Sequence, residues 1–76
     1  MSSSNGDREV SLANNIRRLR FDSGEMSQAH LAELVGVSRQ TVNSIESGKF
    51  NPSVKLALQM AQVFGVNVQD VFFLVQ

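Results

Sequence analysis

The stretch "SQAHLAELVGVSRQTVNSIESGK", which runs from Ser27 to Lys49, constrains the fold of this 76-residue chain more than any other segment. Ser27 is a good N-cap for a first helical pattern, and Gly36 ends that pattern with a residue that adopts a left-handed cap easily. Ser38 begins a second helical pattern only two residues later. The spacing therefore predicts two short helices joined by a tight turn.

Residue types inside this segment match the geometry of a helix-turn-helix unit. Ala32 falls where the two helices must cross closely, and Gly36 falls where the turn needs a positive φ. Val37 lies beneath the turn, while Val42 and Ile45 form the inward stripe of the second helix. All five positions carry the type of residue that the geometry requires, so the segment is predicted to be a helix-turn-helix.

The rest of the chain predicts three further helices and no strand. A helical pattern begins at Ser11, a nearly all-apolar helix follows Ser53 and should be buried on most sides, and a last helix, "VQDVFFLV", follows Asn67. Residues 1–9 are polar and serine-rich, so we expect a disordered arm there. The predicted fold is all-α, with five helices in one domain over residues 10–76.

Composition argues against several classes of protein. The chain has no cysteine and one histidine, so neither a disulfide framework nor a metal site is expected. It has no apolar run of membrane-spanning length and no signal-peptide pattern, so we expect a cytoplasmic protein. No set of residues suggests catalysis or a cofactor. The net charge is zero, with seven basic and seven acidic side chains, which alone does not favour a nucleic-acid partner.

Three segments carry a family resemblance: "NIRRLR", "MSQAHLAELVGVSRQTVNSIESGKFNPS" and "LALQMAQVFGVNVQDVF". They resemble the DNA-binding domain of the phage-repressor and Cro class, also called the xenobiotic-response-element class. More narrowly, they are similar to small stand-alone bacterial regulators of the cytolysin-operon repressor type. The resemblance covers the chain from Leu12 to Phe72. It implies a lambda-repressor-like fold that binds double-stranded DNA, with the helix after Ser38 in the major groove.

The residue types at the start of that helix suit contact with base edges. Arg39 can pair with guanine, Gln40 can pair with adenine, and Thr41 can touch a thymine methyl group or a phosphate. Asn43 and Ser44 follow one turn later, and together these five form the predicted base-contact set. By motif position, Arg39, Gln40 and Ser44 match the main base-contact sites of the family. The alternative interpretation is an ordinary solvated helix face.

Contacts to the DNA backbone are predicted on both sides of the same helix. Gln28 begins the preceding helix, whose N-terminus can face a phosphate. Lys49 and Asn51 match family positions that hold the backbone on the other side. The predicted phosphate-contact residues are Gln28, Ser38, Lys49, Asn51 and Arg17.

The resemblance also implies a structural role for two charged residues. Arg20 and Glu46 match an arginine and a glutamate that form a partly buried ion pair between the first and third helices. Phe50 stands where the family often has a charged residue or a tyrosine. Two interpretations of Phe50 remain open, contact with a deoxyribose and packing within the protein.

The last helix carries more apolar residues than one core-facing stripe needs, which indicates a partner. We expect a two-fold homodimer through this helix, to which the end of the preceding helix can add, with its recognition helices about 34 Å apart on an inverted repeat. The predicted interface residues are Val68, Val71, Phe72, Leu74 and Val75. The alternative is that these side chains all pack within one molecule and that dimers form only on DNA.

These observations favour a sequence-specific DNA-binding transcriptional regulator, acting as a repressor by occupying an operator. A restriction-modification controller or an antitoxin-type regulator is the alternative within DNA binding. A protein-interaction adaptor without DNA affinity is the alternative from another class, motivated by the zero net charge. We expect no membrane partner and no small-molecule ligand.

Overall fold

The structure, a computed structural model, describes residues 10–76, and the arm predicted at residues 1–9 lies outside the described residues. Its elements follow in the order β1 (Ser11–Asn14), α1 (Ile16–Asp22), α2 (Gln28–Val35), α3 (Arg39–Glu46), α4 (Val54–Phe64), α5 (Val68–Val71) and β2 (Phe72–Val75). The predicted five-helix fold, with the helix-turn-helix at α2 and α3, is confirmed. A small two-stranded sheet is added to it.

Serine caps fix the start of α2, α3 and α4. Each serine hydroxyl oxygen accepts a hydrogen bond from the backbone N–H three residues later: Ser27 from His30, Ser38 from Thr41 and Ser53 from Leu56. A cap of this type stabilises a helix by about 1 kcal/mol. The three helices therefore begin where the sequence predicts.

The turn between α2 and α3 depends on Gly36, which has φ 77° and ψ 32°. A β-carbon at Gly36 would meet no atom within 4 Å, so space does not require glycine at this position. The left-handed backbone conformation favours glycine, because it costs an ordinary L-residue about 1–2 kcal/mol. The backbone N–H of Val37 then bonds to the carbonyl of Ala32 at 3.0 Å and closes the turn.

The core lies where the inner faces of the helices meet. Its largest fully buried side chains are Ile16, Leu31, Ile45, Met60, Val42 and Val71. Ala32, at the crossing of α2 and α3, is 3% exposed. Because Val42 and Ile45 anchor α3 from within, the opposite side of α3 is left accessible.

The two ends of the described chain correct the prediction. Residues 11–14, expected to begin a helix, and residues 72–75, expected to end one, pair as antiparallel strands with Ser11 opposite Val75. The run "FFLV" is rich in strand-forming residues, and so short an apolar run does not distinguish helix from strand by its periodicity. As a result α1 begins at Ile16, and α5 has only four residues.

Asn14, at the end of β1, connects the sheet to α3. Its Nδ2 donates hydrogen bonds to the carbonyl oxygens of Ile45 at 3.1 Å and Glu46 at 3.3 Å. Its Oδ1 accepts a hydrogen bond from the backbone N–H of Ile16 at 3.1 Å. Asn14 thus satisfies carbonyls at the end of α3 and an N–H at the start of α1, groups that a helix leaves without internal partners.

Helix α4 is less buried than predicted. Leu56, Met60 and Ala61 face the core, but Val54 is 77% exposed and Leu58 is 52% exposed. These two residues are four positions apart, so they lie one turn from each other on the same side of the helix. The side of α4 that carries them is an apolar stripe outside the core.

The structure also corrects two of the five residues predicted to contact a partner. Val71 is 0% exposed and Phe72 is 9% exposed, and both belong to the core. The short α5 turns Val71 inward, and the first residue of β2 continues in the same direction. Leu74 and Val75 are exposed on β2, and Val68 is half-buried.

Candidate nucleic-acid interface

The accessible side of α3 carries the predicted base-contact residues. Arg39 and Gln40 open the helix and are exposed, as is Asn43 one turn later. Thr41 and Ser44 are half-buried. All five side chains lie off the stripe of Val42 and Ile45 that packs into the core.

A shallow concavity of about 550 Å³ lies against this side of α3. The residues that line this α3 concavity are Ser38, Gln40, Thr41, Asn43, Ser44, Lys49 and Phe50. It brings together four of the five predicted base-contact residues and two of the predicted phosphate-contact residues. Its lining does not include Arg39, Gln28, Asn51 or Arg17.

Gln28, the first residue of α2, links the two helices behind the exposed surface. Its Nε2 donates to the side-chain oxygens of Asn43 at 3.2 Å and Glu46 at 3.3 Å. Its Oε1 accepts from Nη1 of Arg39 at 3.4 Å. Gln28 therefore holds the amide of Asn43 in one orientation, whereas its hydrogen bond to Arg39 is long and correspondingly weak.

An ion pair ties α1 to the end of α3. The guanidinium of Arg20 donates from Nε and Nη2 to the two carboxylate oxygens of Glu46, each at 2.9 Å. Nη1 of Arg20 also donates to the carbonyl of Met26 at 2.7 Å. The side chains of the pair are 15% and 13% exposed. Such a two-pronged, charge-assisted pair fixes geometry as well as adding energy.

The loop after α3 folds back against the helix. Gly48 has φ 84°, and the backbone N–H groups of Lys49 and Phe50 both donate to the carbonyl of Ser44, at 2.9 and 3.2 Å. Lys49 is thereby placed at the edge of the α3 concavity with an exposed side chain. Asn51 follows in the same loop and is also exposed.

Ser38 and Arg17, two of the predicted phosphate-contact residues, differ in their surroundings. The hydroxyl of Ser38 caps α3 and lies 2.9 Å from the hydroxyl of Thr41. Arg17 is exposed on α1, where it lines a different cleft, together with Phe21 and Glu25. The structure therefore keeps Ser38 beside the base-contact residues but places Arg17 outside the α3 concavity.

Two contacts that support this surface could not be predicted from the sequence. Asn14 reaches the end of α3 only because β1 pairs with β2, and the periodicity favoured a helix there. Gln28 was predicted as a phosphate contact, but its hydrogen bond to Asn43 joins residues 15 positions apart. The helix-turn-helix spacing brings these two residues near each other, without indicating which atoms meet.

Neither a metal site nor a membrane span is found in the described range. Among residues 10–76, no group of three histidine, aspartate or glutamate side chains could hold a metal ion. No helix in that range is long and apolar enough to cross a membrane.

Comparisons with known proteins place this surface in context. A family model for helix-turn-helix domains matches residues 16–71. An uncharacterised HTH-type transcriptional regulator of Methanocaldococcus jannaschii is 51% identical over 47 residues, which cover 62% of this chain and 71% of the relative. The uncharacterised HTH-type transcriptional regulator YgzD of Bacillus subtilis is 44% identical over 63 residues, which cover 83% of this chain and 94% of YgzD.

A solved structure shares both fold and sequence. The restriction-modification controller protein C.AhdI from Aeromonas hydrophila superimposes with a TM-score of 0.66 at 33% identity, over 72% of this chain and 82% of C.AhdI. The family match runs from the first residue of α1 to the last residue of α5, and so includes α2, α3 and the turn between them. The chain therefore belongs to the Cro/C1-type helix-turn-helix family of transcriptional regulators.

Proposed function

We propose that this chain is a sequence-specific regulator that recognises its DNA site with the outer side of α3. The α3 concavity carries the proposal, because it presents Gln40, Asn43 and Ser44 while the inner side of α3 stays anchored in the core. An α-helix fits the major groove of B-DNA, and amide and hydroxyl groups can hydrogen-bond to base edges there.

Arg39 makes the main guanine contact in this proposal. It is exposed at the first position of α3, and its hydrogen bond to Gln28 is 3.4 Å long. The guanidinium can give up so weak a bond for the O6 and N7 of guanine. Gln40, the next residue, has no such internal bond among the described contacts and suits adenine.

Backbone contacts flank α3 on both sides. Lys49 and Asn51 provide them from the loop after α3, and the N-terminal end of α2, which begins at Gln28, provides one on the other side. Glu46 is the one acidic residue of α3, and its carboxylate is paired with Arg20 rather than free to repel phosphate. A chain of zero net charge can therefore offer DNA a locally favourable surface.

A homodimer accompanies the proposal, because one helix-turn-helix module makes few base contacts and two-fold dimers on inverted repeats double them. The contact surface that fits is a groove of about 760 Å³ along α4 and α5. Its apolar lining residues are Val54, Leu58, Ala61, Val66 and Val68. A second copy of the chain seats the same residues against one another across a two-fold axis. This α4–α5 groove extends the interface expected from the last helix and the end of α4 along the length of α4, and it retains Val68.

Repression is the regulatory outcome in this proposal. A dimer bound to an operator that overlaps a promoter excludes polymerase by occupancy. Such a mechanism needs no chemistry at the bound DNA.

Selection of bound duplexes from a random pool tests the proposal. We expect enrichment of one inverted repeat whose half-site centres are about 34 Å apart. Enrichment of a single unrepeated half-site would contradict the dimer but not DNA recognition by α3. A pool that shows no enrichment, even at low salt, would contradict the proposed function as a whole.

The likeness to C.AhdI supports a second candidate function, control of a restriction-modification system. Such a controller uses the same α3 surface, so the two candidates differ in the genes they govern. The selected sequence should then lie upstream of a methyltransferase or endonuclease gene in the genome that encodes this chain. A match upstream of unrelated genes alone would leave the general regulator as the function.

A further inference from the structure

Phe50 is the one wholly apolar side chain that lines the α3 concavity, and it is 55% exposed. Single exposed hydrophobic residues are common on protein surfaces, so exposure alone assigns no role to it. Its position separates it from Phe21, which is 66% exposed but lines a cleft that contains none of the proposed base-contact residues. Phe50 shares its concavity with Gln40 and Asn43.

The backbone of Phe50 is fixed to α3. Its N–H donates to the carbonyl of Ser44 at 3.2 Å, and the N–H of Lys49 donates to the same oxygen at 2.9 Å. These two bonds fix the position of the loop relative to the end of α3. When α3 lies in the major groove, Phe50 is carried to the edge of the same groove.

The concavity offers two kinds of contact. Gln40, Asn43 and Ser44 offer hydrogen-bond donors and acceptors, whereas Phe50 offers only an apolar surface. In the major groove the distinctive apolar group is the C5-methyl of thymine. Thr41 also carries a methyl group, but it is half-buried and its hydroxyl is engaged with Ser38.

We infer that Phe50 packs against the C5-methyl group of a thymine in each half-site, and so selects T at a position where α3 makes no hydrogen bond. This inference rests on the proposed function of α3. The methyl group is an apolar partner for the exposed ring of Phe50. The inference predicts that removal of this methyl group from the DNA abolishes the preference for T at that position.

Deoxyuridine substitution tests the inference directly, because it removes only the C5-methyl group from a thymine. Each thymine of the selected duplex is replaced in turn, and dissociation constants are measured for the wild type, Phe50→Ala and Phe50→Leu. We expect one thymine per half-site at which the wild type loses about three- to fivefold in affinity, the equivalent of one buried methyl group. Phe50→Ala should bind the two duplexes equally well, and Phe50→Leu should keep part of the discrimination.

Thr41→Ser is the matched control, since it removes the other methyl group from the concavity. Thr41→Ser should still bind the deoxyuridine duplex less tightly than the thymine duplex at that position. If Thr41→Ser lost this difference while Phe50→Ala kept it, the inference would be overturned. Equal weakening of thymine and deoxyuridine duplexes by Phe50→Ala would also overturn it and assign Phe50 to the sugar–phosphate backbone. Thermal unfolding of each variant checks that the fold is retained, and Phe50→Leu supplies a milder change.

The outcomes also separate this inference from the function on which it rests. A wild type that selects one duplex but tolerates deoxyuridine at every thymine would contradict the role of Phe50 only. A wild type that selects no duplex would contradict the proposed function together with this inference.

Discussion

Arg39 and Asn43 are held in different ways, although both bond to Gln28. Nε2 of Gln28 donates to Asn43 at 3.2 Å, while Arg39 donates to Gln28 at 3.4 Å through one of its terminal nitrogens. Arg39 has an exposed side chain, and this bond to Gln28 is the one side-chain hydrogen bond of Arg39 among the described contacts. Asn43 is therefore the pre-oriented contact of the proposed site, and Arg39 is the adaptable one.

Replacement of Arg39 by alanine should weaken binding to the selected operator by about 1–3 kcal/mol and remove discrimination at one guanine per half-site. Fluorescence anisotropy on the operator and on guanine-substituted duplexes measures both effects. Arg18→Ala is the control, because Arg18 is an exposed α1 arginine whose closest acid, Asp22, is 3.9 Å away. Uniform weakening of all duplexes by Arg39→Ala would instead make Arg39 a phosphate contact.

The Arg20–Glu46 pair should matter for stability more than any exposed pair in the described range. Arg20→Gln leaves a largely buried carboxylate without its partner, so we expect the free energy of unfolding to fall by about 3 kcal/mol. Denaturant titration measures this change. Arg18→Gln breaks an exposed pair and should cost less than about 0.5 kcal/mol. Equal losses from the two substitutions would show that the buried pair adds nothing beyond a surface contact.

Residue-level features were predictable where they depend on local sequence or on the motif. Ser27 and Ser38 cap α2 and α3 because a cap needs only a hydroxyl and an N–H three residues later. The contact between Gln28 and Asn43 depends on the rotamers of two side chains on different helices, and Asn14 depends on a strand pairing. Sequence periodicity contains no information about either contact.

At the scale of elements, the apolar pattern of α4 predicted more burial than the structure shows. Apolar residues around most of its circumference predicted burial, but the short α5 and the loop before it leave one side uncovered. Val54 and Leu58 are therefore exposed, and the groove beside them is the surface proposed for a second copy. The pattern predicted burial of this side of α4, but it could not indicate that the core of a single chain leaves this side open.

Leu58→Glu should convert the proposed dimer to monomers, because it places a carboxylate in the α4–α5 groove. Leu58 is 52% exposed, so the fold of the single chain should survive, and sedimentation equilibrium gives the mass. Leu74→Glu is the matched control on β2, where Leu74 is 69% exposed, and should remain dimeric. If Leu74→Glu were monomeric and Leu58→Glu remained dimeric, the interface would lie on the C-terminal strand instead. Phe72→Glu would not distinguish the two, since Phe72 belongs to the core.

The strands β1 and β2 were not predicted from the sequence, for a different reason. Leu12 pairs with Leu74 across almost the full length of the described chain. A two-stranded sheet is marginal alone, and this one is supported by the core beneath it, where Phe72 is buried. Local patterns cannot indicate such a pairing. The boundaries of α2 and α3 could be predicted, because they depend on local features, the serine caps and Gly36.

At the scale of the whole molecule, DNA binding has to arise from the distribution of charge rather than its sum. Seven basic and seven acidic side chains cancel, yet Lys49 stands at the edge of the α3 concavity and Glu46 is neutralised by Arg20. The expected affinity is therefore moderate and sensitive to salt.

Binding to the operator should weaken linearly in log–log plots of affinity against salt concentration. Lys49→Gln should lower the slope by about one unit per half-site and weaken all duplexes alike, because Lys49 contacts phosphate in the proposed complex. Arg18→Gln should leave the slope unchanged. If the slope for Lys49→Gln equalled that of the wild type, Lys49 would not be a phosphate contact.

The entry of α3 into the major groove, with Arg39 on guanine, is tested most directly by methylation interference. The selected operator is methylated at guanine N7, which lies in the major groove, or at adenine N3, which lies in the minor groove. We expect N7 methylation of one guanine per half-site to block the wild type and to have little effect on Arg39→Ala, with adenine N3 methylation tolerated by both. Interference at adenine N3 alone, or at guanine N7 equally in the wild type and Arg39→Ala, would contradict that contact.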